Sequence, residues 1–100
     1  MNSLKNSVVD LAKKNLSDHL NDAIQDGHAI INGLEGKIQE WTQLYEAGDI
    51  DEGNLKSLIL GEKDLMKMEL LKQEGLALIR IDKFRIDVCN LVLDAVTSVL

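Results

Sequence analysis

Asp18, Asp22 and Asp26 stand at i, i+4 and i+8 with His19 beside the first, so a helix would line three carboxylates and an imidazole along one edge. Oxygen donors at this spacing suit hard cations, and an acidic edge also suits a basic partner protein. The plainer alternative is a solvated face that tolerates a few tenths of a kcal/mol of like-charge repulsion per pair. Neither Glu-x-x-His nor His-x-x-x-His spacing accompanies the stripe. His28 follows His19 by nine residues, which is the opposite side of a helix, so the two cannot share a ligand. No metal site and no cofactor are therefore assigned, and Asp18, Asp22 and Asp26 are retained as a candidate acidic partner surface.

Other motifs fail on inspection. Asp49-Ile-Asp-Glu-Gly-Asn54 opens like a calcium loop, but its glycine is one place early and Leu60 stands where the bidentate glutamate belongs, so helix capping accounts for the same residues. Cys89 sits among Val88, Leu91, Val92 and Leu93 with no histidine near it in sequence, which describes an inert structural thiol. Met66 and Met68 point to different sides of a helix and read as a core filler and a boundary residue rather than a soft-metal site. No phosphate-binding glycine loop occurs, and no Ser, Cys or Asp has the companions that nucleophilic catalysis requires. The expectation is a protein that is not an enzyme.

Composition narrows the classes further. The chain has 100 residues, 45% of them hydrophobic, and no proline, so it has apolar material for a core and nothing that locks φ or removes a backbone donor. Its net charge is −6, and acids outnumber bases in both halves, which disfavours nucleic acid and anionic membrane as partners. Trp41, Tyr45 and Phe84 are the only aromatics, too few to stack bases. One cysteine allows no internal disulfide and fits a reducing compartment. The first residues lack the apolar run of a signal peptide, and the least polar stretch, 88–100, is too short to span a bilayer, so a cytoplasmic location is expected.

The elements that must position these residues are helices. Leu20, Ile24, Ile31, Leu34, Ile38, Trp41 and Tyr45 keep one helical phase, and they keep it across Asp26-Gly27 and Asn32-Gly33, two dipeptides that look like turns. One helix over about 3–47 is favoured over a pair broken near Gly27 or Gly33. Gly48 suits a left-handed helix terminus, and Asp49 or Asp51 suits the cap of a second helix over about 52–99, with Gly61 as its weakest point and Gly75 as another. A strand hairpin around Asp82-Lys83 is the lesser alternative, because residues 79–88 also alternate. The fold class is thus all-α, a single helical domain over 1–100 built as a long antiparallel hairpin.

Such a hairpin has one contact seam and too little core for its length, which points to an oligomeric bundle. The C-terminal helix carries two apolar stripes on nearly opposite faces, Phe84, Val88, Leu91 and Ala95 on one and Ile86, Cys89, Leu93, Val96 and Leu100 on the other. If the first packs on the chain's own first helix, the second is bare and becomes the oligomer interface of a dimer or larger assembly. The functional expectation is a structural or interaction module that associates with itself, and with a further protein as a second option. The rival expectation is an acidic inhibitor or immunity-type protein that blocks a basic target through the aspartate stripe and the acids of 46–52.

Overall fold

In the computed structural model, which describes residues 2–98, the first helix stops far earlier than the apolar phase implies. Helix α1 spans Asn2–Asn15, a single 3-10 turn occupies Ser17–His19, and α2 spans Leu20–Glu46. The break is at Leu16 (φ −136°, ψ 42°), not at Gly27 or Gly33, which both lie inside α2. Asn15, Ser17 and Asp18 compete for backbone hydrogen bonds and weaken a helix there. Lys13 and Lys14 suit the negative end of α1, and Leu16 is buried at the corner. The chain then folds back, so that Val8 lies against Gly27 and His28 Nε2 is 3.1 Å from the Lys5 carbonyl oxygen. Both apparent turn glycines are contact points: a Cβ on Gly27 would overlap Val8 Cγ1, and one on Gly33 would come within 2.7 Å of the Asp64 carboxylate.

The end of α2 follows the sequence expectation. Gly48 has φ +79°, its N–H donates to Tyr45, and the Asp49 N–H donates to Leu44, which together close a Schellman motif. Asp51 then accepts from the Asn54 N–H at 2.7 Å as the cap of α3, Glu52–Leu60.

The expected helix over 52–99 becomes four, α3 and three more beyond Gly61. Glu62 is extended (ψ 135°) before α4, Lys63–Lys67, and Met68 takes the left-handed conformation (φ 40°, ψ 43°) before α5, Glu69–Gln73. Gly75 (φ +73°) and Leu76, whose N–H reaches Leu71 while that of Gly75 reaches Lys72, form a second Schellman motif. The last helix, α6, is Leu78–Thr97. Residues 79–88 are therefore helical, and there is no strand among the described residues.

These breaks convert the expected two-helix hairpin into four antiparallel lanes. Lys37 meets Glu62, Gly33 meets Asp64, and Asp26 meets Leu70 and Leu71, so the run from α4 to α5 travels backwards along α2. Helix α6 starts beside Asp18, passes Gly27 at Phe84, and runs parallel to α2. It is antiparallel to α1, since Asn15 faces Asp87 and Leu4 shares a groove with Leu91 and Ala95. At about 1.5 Å per residue α2 alone is roughly 40 Å long, and it sets the long dimension of a 42 × 23 × 19 Å molecule. Buried side chains from all six helices merge into one core. No helix among the described residues is long and apolar enough to cross a membrane.

Candidate functional site

The aspartate stripe divides into three different environments. Asp18 accepts two hydrogen bonds from the Arg80 guanidinium, at 2.7 and 2.9 Å, and this charge-assisted fork lowers its carboxyl from 3.8 to about 2. Asp26 is only 7% exposed and turns inward. Its carboxylate accepts from the Leu70 N–H at 3.2 Å and the Leu71 N–H at 2.9 Å, the second and third residues of α5. Those are the donors that an N-cap side chain normally satisfies, but the N-cap residue is Met68, which has no oxygen to offer. Asp26 caps α5 from another helix. Of the expected acidic partner surface over Asp18, Asp22 and Asp26, two members are thus engaged within the chain.

Asp22 stays at the surface and gains different company. Its carboxylate, the His19 ring and the Glu74 carboxylate bring one donor atom each within 4.8 Å of one another. They line a shallow depression of about 340 Å³ that Asp18 and Asn21 also border. His19 precedes α2, Asp22 is in its first turn, and Glu74 is the C-terminal cap of α5, held there by the Gly75 turn. Among the described residues no Lys or Arg forms an ion pair with Asp22 or Glu74, although Asp18 next to them has Arg80. Glu74 is the member that sequence reading missed. It lies on another lane, and only the backward run of α4 and α5 brings it to the start of α2.

The second apolar stripe of α6 is largely interior. Cys89 and Val96 are fully buried and Leu93 is 8% exposed, because α1, α2 and α3 all pack against α6 where a hairpin would offer one helix. These three, expected at an oligomer interface, are core residues of the single chain; Leu100 lies outside the described residues. Burial pushes the Cys89 thiol up and keeps it unreactive. Among the described residues of the stripe Ile86 alone remains outside, 47% exposed, and on the same helix Leu78 and Ile79 are 71% and 79% exposed. Of the two methionines Met68 is the core filler and Met66 points outward.

Comparison with family models, with curated proteins and with solved structures returned no match to this chain.

Proposed function

We propose that the chain is a non-enzymatic interaction module that pairs with a second copy of itself through the exposed face at the start of α6. The observation that carries this reading is the exposure of Ile79 and Ile86, seven residues apart and hence on one side of the helix, with Leu78 beside them. Together they present on the order of a few hundred Å² of apolar surface, within the range of functional patches on soluble proteins.

The face is complementary to itself. In an antiparallel crossing centred between Asp82 and Lys83, Ile79 of one copy meets Ile86 of the other. A two-fold axis repeats that pairing, as an isologous interface requires. Asp82 and Lys83 flank this seam on opposite sides and are answered within the chain, Asp82 accepting from Arg85 and Lys83 donating to Asp87 at 2.8 Å, so the apolar residues carry the contact. The patch is small, which places association at the weak end of specific interfaces, with a dissociation constant on the order of 10–1000 μM.

Sedimentation velocity over a concentration series tests the proposal. A reversible monomer–dimer equilibrium is expected. Ile79→Asp, at a position 79% exposed, should weaken it and leave the helix content unchanged. A monomer at millimolar concentration, or indifference to Ile79→Asp, refutes the pairing. The acidic-blocker alternative keeps the exposed acids of the 46–52 turn, and capture of a basic protein that collapses in moderate salt would favour it.

A further inference from the structure

We propose that His19, Asp22 and Glu74 form a binding site for a divalent transition-metal ion, with zinc the best match to the donors. An imidazole nitrogen and a carboxylate oxygen from the start of α2 converge within 4.8 Å with a carboxylate oxygen from the end of α5, and among the described residues no Lys or Arg pairs with either acid. Zinc bonds of about 2.0–2.2 Å place tetrahedral donors roughly 3.4 Å apart, so the three side chains need to close by little more than 1 Å. Glu74 is exposed and free to swing, whereas His19 and Asp22 are half-buried at the start of α2, with His19 Nε2 3.6 Å from the Asp18 carboxylate. Three protein ligands on an open depression leave the fourth position to water or to an outside group, the arrangement of accessible rather than closed zinc sites.

The donor set selects against the hard cations. Calcium needs six or more oxygens, and magnesium prefers oxygen in octahedral geometry, whereas an imidazole favours zinc and its first-row neighbours. Two nearby positive influences oppose the ion. The Arg80 charge is answered by the forked pair with Asp18, and the N-terminal end of α2 is outweighed by two full carboxylate charges. The site is independent of the α6 face, so either proposal can fail alone.

Isothermal titration of the full chain with zinc chloride decides the matter. One ion per chain with micromolar affinity is expected, together with a rise in Tm. His19→Ala and Glu74→Gln should each weaken binding about tenfold or more. Glu35→Gln, which removes the same charge from an exposed position on α2, should leave the affinity unchanged. Glu74→Gln alters an exposed side chain and keeps the test valid if His19→Ala disturbs the turn. No uptake of zinc, or equal affinity in all four proteins, overturns the proposal.

Discussion

Asp26 ties two lanes together with one side chain. Its two hydrogen bonds meet N–H groups at the start of α5, and that to Leu71 is buried, so Asp26→Ala leaves a buried donor without a partner. The expected loss is about 1–3 kcal/mol in urea unfolding. Asp26→Asn should fall between, since its single carbonyl oxygen can serve only part of the pair. A loss no larger than that of an exposed acid such as Glu35→Ala would show the cap to be idle. Asp18 makes a pH-dependent contribution instead. Its folded carboxyl titrates at about 2 against an ordinary 3.8, so the stabilisation is complete above the unfolded value and fades as pH falls from about 4 towards 2. Arg80→Gln should return the Asp18 titration, followed by NMR, to the ordinary carboxylate range. These roles were not legible in the sequence. The spacing of 18, 22 and 26 is a property of one helix, but Arg80, Leu71 and Glu74 reach that helix only through turns elsewhere.

Helix α2 owes its close approach to α1 to Gly27, and here two effects of known size compete. Replacing a helical glycine by alanine gains about 1 kcal/mol of propensity, but a Cβ at Gly27 overlaps the stiff Val8 side chain, and such overpacking costs about 1–3 kcal/mol. Gly27→Ala should therefore destabilise. Gly36→Ala, with nothing within 4 Å of its added carbon, should stabilise by up to about 1 kcal/mol in the same chemical denaturation assay. Met68 poses a similar contest at the junction of α4 and α5. Its left-handed backbone costs about 1–2 kcal/mol, which glycine would relieve, but its side chain is 1% exposed and truncation there costs about 2–5 kcal/mol. Met68→Gly should be the less stable protein. At this scale the sequence was informative where a signal is complete within a few residues. Gly48 formed the left-handed terminus expected of it, and of the two cap candidates Asp49 and Asp51 the cap is Asp51. The break at Leu16 was hidden because Leu4, Val8 and Ala12 keep a helical phase of their own, and a phase does not say which neighbour it faces. The turn at Met68 has no local signal, since a buried thioether holds a backbone that glycine usually takes.

At the scale of the molecule, the closing of four lanes around α6 decides which of its apolar residues remain available to a partner. A two-lane hairpin would leave Leu93 bare, and then Leu93→Asp would loosen association and spare the fold. In the four-lane bundle Leu93 is 8% exposed, and a carboxylate there is buried without a counter-ion. A penalty of several kcal/mol is a large part of the roughly 5–15 kcal/mol that holds a domain together. Leu93→Asp should therefore lower Tm sharply or unfold the chain. Ile86→Asp should have the opposite profile, because Ile86 is 47% exposed and surface substitutions usually move stability by about 0.5 kcal/mol or less. Its effect should appear in sedimentation, as a weaker dimer with an unchanged circular dichroism spectrum. Net charge sharpens the measurement. Two copies at −6 each repel one another, so added salt should leave the apolar pairing intact or strengthen it, whereas capture of a basic target would weaken. If Ile86→Asp unfolds the chain while Leu93→Asp folds and loses its partner, α6 faces its neighbours the other way round and both the lane order and the pairing face are wrong.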